Sequence, residues 1–95
     1  MEIQHREIGS KGLFYIEIDH EKLAEMSYSK AGDELIIIDH TEVDEKLKGK
    51  GAGKQLVQAA VDYARHHQIK ILPLCPFAKS VFDKTSEYQD VLHGA

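Results

Sequence analysis

The 95-residue sequence has a single cysteine, Cys75, and therefore cannot form an internal disulfide. No metal-ligand spacing surrounds this cysteine, and a lone thiol is typical of proteins of the reducing cytosol. The sequence also lacks a run of about 18 apolar residues, the minimum for a membrane-spanning helix. Residues 1–6 have no apolar stretch of the kind found in signal peptides. We therefore expect a cytoplasmic protein with no membrane partner and no metal.

Basic residues are in the minority, with 12 lysines and arginines against 16 aspartates and glutamates, a formal net charge of -4. This balance disfavours general binding to nucleic acid, which requires a basic surface. Length and composition predict that residues 1–95 form one domain with a modest core, because domains usually have about 100–150 residues. A local basic patch is still expected, since four lysines fall within nine residues: Lys46, Lys48, Lys50 and Lys54.

Alternation of apolar and polar residues predicts short strands at residues 3–8, 13–18 and 23–29. The turns between them are expected at residues 9–12, 19–22 and 30–33, so this half of the chain should be an antiparallel meander. A fourth strand is predicted at residues 35–43. Its apolar start suggests a central strand covered on both faces. Strict alternation would place His40 and Glu42 on the same face as Ile36 and Ile38.

The pattern then changes to the helical period, and the sequence predicts a helix over residues 51–66. A fifth strand is predicted at residues 69–74. Pro76 suits the first turn of a final helix that would reach Lys84, because the N–H group that proline lacks has no partner there.

A glycine-rich segment over residues 48–54 lies between the fourth strand and the first helix. Glycines permit positive φ angles and a close approach of an anion, and the free N–H groups of a helix start favour phosphate. A P-loop is excluded because Gln55 follows Lys54 where serine or threonine is needed, and Lys48 occupies the first glycine position. The spacing also fails the Gly-x-Gly-x-x-Gly dinucleotide fingerprint. The segment predicts a phosphate site of another kind, although a purely structural glycine-rich helix start is the alternative.

The segment does fit the pattern Arg/Gln-x-x-Gly-x-Gly/Ala, with Lys48 in place of the usual Arg or Gln. Residues 34–84, with the Leu-Cys-Pro-Phe-Ala segment at residues 74–78, resemble minimal members of the GNAT acetyltransferase superfamily. The resemblance and the predicted elements imply an α+β (mixed α/β), truncated GNAT-like fold. This fold would have a mainly antiparallel sheet of about five strands, a central helix after the fourth strand and a C-terminal helix. The two helices that usually lie between the first two strands of this superfamily would be missing.

The resemblance implies that acetyl-CoA is the cofactor, with its pyrophosphate on the loop amides and its pantetheine arm along the fourth strand. The residues expected to bind it are Thr41, Glu42, Val43, Lys48, Gly49, Lys50, Gly51, Ala52, Gly53, Lys54, Phe77 and Lys79. The backbone N–H of Val43 is the oxyanion donor by family analogy.

His40 and Cys75 are the candidate catalytic residues. Histidine titrates near neutral pH and suits a general base, and a thiol before a helix N-terminus is activated as a nucleophile. Alternatively, His40 makes a structural hydrogen bond and Cys75 only packs or lines the acetyl pocket.

Three functions are then possible: N-acetyl transfer to an amine such as a protein lysine or polyamine, a non-catalytic acetyl-CoA or CoA module, or binding of another phosphate ligand such as a nucleotide. A monomer or a weak dimer is expected.

Overall fold

The computed structural model describes residues 1–94 and contains five strands, two α-helices and two 3₁₀ turns. The strands are β1 (Gln4–Ile8), β2 (Lys11–Ile18), β3 (Glu21–Lys30), β4 (Leu35–Val43) and β5 (Lys70–Pro73). The helices are α1 (Ala52–His67) and α2 (Pro76–Lys84), and the 3₁₀ turns are Glu45–Leu47 and Ser86–Val91. The strands lie in sequence order in one sheet, with β1 to β4 antiparallel and β5 parallel to β4. The predicted α+β architecture is confirmed.

Strands β2 and β3 begin two residues earlier than predicted because the hairpin turns are tighter than expected. Asp19 and His20, which join β2 to β3, have φ angles of 52° and 65°. Two positive φ angles define the type I′ turn, whose twist matches that of the flanking strands. Two-residue turns leave no room for helices between β1 and β2, as the sequence predicted.

Helix α1 packs its apolar stripe against the sheet. Leu56, Val57 and Val61 are fully buried, and each contributes roughly 1.5–3 kcal/mol by its removal from water. The helix ends at His67, and its C-cap residue Gln68 has a left-handed conformation and donates its N–H to the carbonyls of Ala64 and Arg65. Within residues 1–94, no helix has the length and apolar character that a membrane crossing requires.

A β-bulge interrupts the pairing of β3 with β4. Tyr28 lies opposite Ile38, and Ser27 lies opposite His40, so Asp39 is an extra residue on β4. An extra residue shifts the side-chain alternation by one position. Thr41 therefore lies opposite the buried Met26, on the face of Ile38, whereas His40 and Glu42 are exposed. The prediction that His40 and Glu42 share a face with Ile36 and Ile38 is wrong for this reason.

The core lies on one face of the sheet, between the strands and the two helices. The opposite face, here called the open face, carries no helix in the part of the chain that the structure describes. It presents Leu13, Tyr15, Glu25, Ser27, Ile37, Asp39, His40, Glu42 and Leu72. Ile37 and Leu72 on this face are only partly buried. The expectation that β4 is covered on both faces is therefore wrong, because residues 1–94 supply a single helical layer, on the core side.

Glu7 ties β1 to the rest of the fold. Its Oε2 accepts hydrogen bonds from the hydroxyls of Tyr28 at 2.6 Å and Tyr63 at 2.9 Å, and its Oε1 accepts one from Lys30 Nζ at 2.7 Å. Tyr28 reaches this position across Gly12, where any Cβ would overlap the tyrosine ring. These donors, above all Lys30 and then Tyr28, lower the pKa of Glu7 from its ordinary 4.5 to about 2.

The lowered pKa of Glu7 predicts an acid-sensitive contribution to stability. The folded state holds the carboxylate more strongly than the unfolded state does, so the contribution is complete above pH 4.5 and disappears as the pH falls toward about 2. We expect Glu7→Gln to flatten the fall in the free energy of unfolding across this window, as measured by urea unfolding at several pH values. Glu2→Gln is the control and should leave the slope unchanged. A wild-type slope in Glu7→Gln would contradict the prediction.

Candidate active site

The glycine-rich loop leads into the first turn of α1, and the loop amides of Lys48 and Lys50 donate to Glu45 O and Leu47 O. Gly49 and Gly51 have φ angles of 79° and 74°, and Gly51 is the N-cap residue of α1. The first intrahelical hydrogen bond runs from Gln55 N to Gly51 O, so the amides of the preceding helical residues have no carbonyl partner within the helix. No acidic residue occupies the first turn of α1. This arrangement favours an anion by both hydrogen bonding and the helix dipole.

The lysines around the loop divide into two groups. Lys46 pairs with Glu21 at 3.0 Å, and Lys48 pairs with Glu45 at 2.9 Å. Lys50 and Lys54 form no ion pair within residues 1–94, so their charges face solvent beside the loop. The predicted basic patch is therefore strongest at these two positions, on either side of the free amides.

Gly53 has a different role from the other loop glycines. It is the second residue of α1, and a Cβ at this position would lie 2.5 Å from Cζ of Phe77. Phe77, which is 40% exposed, therefore rests its ring directly on the start of α1. This contact closes the side of the loop that faces α2.

A surface cavity of about 490 Å³ lies at this loop. Eight of the twelve predicted cofactor-binding residues line it: Val43, Lys48, Gly49, Gly51, Ala52, Gly53, Lys54 and Phe77. Leu47 completes the lining, and sequence reasoning missed it because a buried leucine in a 3₁₀ turn carries no chemical signal. Thr41, Glu42, Lys50 and Lys79 are not in the lining. Lys79 instead pairs with Asp83 at 3.1 Å.

Beyond Ile38, β4 runs without a partner on the β5 side. The parallel pairing ends where Ile38 meets Pro73, and the N–H groups of Leu74 and Cys75 both donate to Ile38 O. The chain then turns into α2, while β4 continues to Val43. This divergence leaves a backbone edge of β4, residues 39–43, that can pair with an extended amide-containing ligand.

Cys75 is the N-cap residue of α2 and lies at the divergence of β4 and β5. Its side chain is 6% exposed, and Sγ donates a hydrogen bond to Thr41 Oγ1 at 3.3 Å. Burial raises the pKa of the thiol, but the hydrogen bond shared with the Thr41 side chain and the nearby backbone of Ala78, Phe77 and Thr41 together lower it by more. The net pKa of Cys75 is therefore below its ordinary value, as expected of a reactive thiol.

His40 is not the partner of Cys75. Its Nε2 lies 3.1 Å from Glu42 Oε1 on the open face, whereas Cys75 contacts Thr41 on the core side of β4. A second cavity, of about 380 Å³, lies beside Glu42 and is lined by Lys22, Leu23, Ala24, Glu25, Glu42, Val43 and Asp44. Val43 borders both cavities. Of the three carboxylates in the second cavity, Glu42 was predicted as a cofactor-binding residue, whereas Glu25 and Asp44 were not singled out because the cavity forms only through the pairing of β3 with β4.

The site therefore combines a helix start with free amides and a divergence of two strands that holds a buried thiol. A family model for GCN5-related N-acetyltransferases matches residues 13–91. The chain therefore belongs to the GCN5-related N-acetyltransferase family. None of the curated proteins matches it significantly.

Solved structures agree with this assignment. A GCN5-like protein from Staphylococcus aureus is 40% identical, with a TM-score of 0.75, over 99% of this chain and 89% of its own. A ribosomal-protein-alanine N-acetyltransferase from Brucella melitensis is 16% identical, with a TM-score of 0.67, over 79% of this chain and 62% of its own. An Elizabethkingia anophelis GNAT acetyltransferase with acetyl-CoA bound is 22% identical, with a TM-score of 0.58, over 67% of this chain and 42% of its own. The latter two show the fold alone.

Proposed function

We propose that this protein binds acetyl-CoA and transfers its acetyl group to an amine. The observation that carries the proposal is the cavity of about 490 Å³ that joins the free amides at the start of α1 to Val43, at the end of the unpaired edge of β4. Phosphate on the amides and a pantetheine amide on that edge would direct the thioester toward Cys75. Family membership and an acetyl-CoA-bound structural relative support the choice of cofactor.

In the proposed reaction, Cys75 is the nucleophile. Its Sγ attacks the carbonyl carbon of the thioester, the bond from that carbon to the CoA sulfur breaks, and the thiol proton leaves with CoA as free thiol. The acceptor amine then attacks the acetyl group on Cys75 and loses a proton, and the regenerated thiol completes the cycle. The backbone N–H of Val43 remains the proposed oxyanion donor.

His40 keeps a proposed role as a general base, but from the open face. On the β5 side, no strand of residues 1–94 lies beside residues 39–43 of β4, so an amine can approach Cys75 through this gap from the open face. His40, oriented by Glu42, would meet the amine on that side and accept its proton. Cys75 and His40 thus act in separate steps rather than as a directly bonded pair.

The acidic residues Glu25, Glu42 and Asp44, which line the second cavity, favour a cationic acceptor. Glu25 and Glu42 lie directly opposite each other on β3 and β4, and like charges in that arrangement repel. Lys22 pairs with Glu25 at 3.2 Å, so the other carboxylates of the second cavity are Glu42, which contacts His40, and Asp44, which accepts from Lys46 N. An ammonium group there would relieve the repulsion. The proposed acceptors are therefore a protein lysine or a polyamine, which an uncovered surface can admit.

A non-catalytic acetyl-CoA-binding module is the second candidate, and one observation favours it. His40 lies on the face of β4 opposite to Cys75, so no histidine activates the thiol directly. This function would require the same cofactor site but no turnover with any amine.

Binding is tested by an amide-shift NMR titration of labelled protein with acetyl-CoA, CoA and ATP in turn. We expect acetyl-CoA and CoA to shift residues 42–54 and the neighbourhood of Cys75, because both place a pyrophosphate and a pantetheine arm there. ATP supplies phosphates without pantetheine and should perturb only the loop, and weakly. Comparable binding of ATP and CoA would favour a nucleotide site instead. No shift in the loop with acetyl-CoA would overturn the proposed function.

A further inference from the structure

The β-bulge at Asp39 decides which side chain of β4 meets Cys75. Without the extra residue, the alternation that buries Ile36 and Ile38 would turn His40 toward the core side. With it, Thr41 occupies that side, opposite Met26, and its Oγ1 lies 3.3 Å from Cys75 Sγ. Because of the bulge, the hydroxyl of Thr41 lies beside the thiol, and the imidazole of His40 does not.

We propose that Thr41 is the positioning residue for Cys75 and that its hydroxyl holds the sulfur as a thiolate for attack on the thioester. This inference rests on the proposed function, in which Cys75 is the nucleophile. In the resting state the thiol donates to Thr41 Oγ1. A hydroxyl is both donor and acceptor, so rotation about its C–O bond lets it donate to the thiolate once the thiol proton has left.

The surroundings of the thiol make Thr41 the side chain that can stabilise the thiolate. Cys75 is 6% exposed, so water supplies little solvation to an anion there. The backbone of Phe77 and Ala78 at the start of α2 lowers the pKa of the thiol together with the Thr41 hydroxyl, but Cys75 makes no side-chain capping hydrogen bond to α2. Among the side chains of residues 1–94, Thr41 is the one hydrogen-bonded to Sγ. The sequence had placed Thr41 only in the cofactor site.

The test is the pH dependence of Cys75 alkylation by iodoacetamide, without any acetyl-CoA. Cys75 is the one cysteine of the chain, so whole-protein mass spectrometry reports its reaction alone. The rate at the alkaline plateau measures access to the thiol, and the midpoint of the pH profile measures how well the site stabilises the thiolate. The two quantities separate a change in packing from a change in anion stabilisation.

We expect Thr41→Val to move the midpoint to higher pH and to lower the alkylation rate at neutral pH about fivefold to tenfold, with the plateau unchanged. Valine keeps the branched shape and the strand preference of threonine but removes the hydroxyl. Thr41→Ser, which keeps the hydroxyl, should restore the wild-type midpoint. Thr85→Val is the matched control, because the only other threonine caps the far end of α2 and should have no effect.

A midpoint in Thr41→Val equal to those of wild type and Thr85→Val would overturn the inference. If Thr41 instead contacts pantetheine, Thr41→Val would weaken acetyl-CoA binding while leaving the midpoint in place, which also overturns it. Circular dichroism identifies a variant that has unfolded. If Thr41→Val unfolds, Thr41→Ser is compared with wild type instead, and its alkylation midpoint should be retained. Because the alkylation assay needs no cofactor, failure of acetyl transfer and failure of this inference give different results.

Discussion

Replacing Gly51 by valine is expected to weaken acetyl-CoA binding by roughly a hundredfold or more. Gly51 has a φ angle of 74°, and no atom lies within 4 Å of the position that a Cβ would take. The effect is therefore conformational: a β-branched residue at this φ costs about 1–3 kcal/mol. The loop can relieve that strain only by rotating its backbone, which turns the free amides at the start of α1 away from the phosphate. Isothermal titration calorimetry measures the loss.

Gly32 supplies a matched control for this substitution. It has a φ angle of 76°, is equally open, and lies in the turn between β3 and β4, at the opposite end of β4 from the loop. Gly32→Val should lower the free energy of unfolding by a similar amount in urea but leave acetyl-CoA affinity intact. Unchanged affinity in a folded Gly51→Val variant would show that the loop does not hold the cofactor.

Replacing Cys75 by alanine is expected to reduce acetyl transfer to a lysine peptide by roughly a hundredfold or more. Acetyl-CoA affinity should change little, because Cys75 is outside the lining of the loop cavity. Acetyl transfer falls because alanine removes the thiol to which the acetyl group would be attached. Steady-state kinetics gives the turnover, and intact mass spectrometry after a short incubation with acetyl-CoA reports the acetylated protein.

His40→Gln separates the two steps of the proposed reaction. With the base on the open face removed, the acetyl group should still reach Cys75, so the acetylated protein accumulates while transfer to the peptide falls. Cys75→Ser controls for the change in side-chain size, because serine is close to cysteine in size but its hydroxyl is a weaker nucleophile than the thiol. Wild-type turnover in Cys75→Ala would exclude the covalent route, and the absence of acetylated protein in His40→Gln would count against the separate roles.

The sequence predicted the elements that depend on local patterns. The helical period after Gly51 and the apolar run at residues 35–38 identified α1 and β4 almost to the residue. Glycine spacing located the loop, because positive φ angles at Gly49 and Gly51 are a local requirement of the chain. Six of the eight predicted cofactor residues that line the cavity lie within residues 48–54, so they are close in sequence as well as in space.

The site features that depend on neighbouring strands were not predictable in this way. The bulge at Asp39 arises from the register between β3 and β4, and it changed the faces of every residue after it, including His40 and Thr41. The contact of Gly53 with Phe77 joins two helices, so the glycine resembled a further phosphate-loop residue from the sequence alone. The pairing of Lys48 with Glu45 likewise depends on the 3₁₀ turn before the loop.

The two-residue turn between β1 and β2 has a consequence for the fate of the acetyl group. Within residues 1–94 no helix covers the open face, so under the proposed function the acceptor itself would form one wall of the reaction site. Before that acceptor arrived, water would reach the acyl group by the same route as the amine. Aminolysis would then compete with hydrolysis, and a close-fitting acceptor surface would favour aminolysis by keeping water out. The selectivity of the proposed reaction would be set by how well the acceptor seals the site.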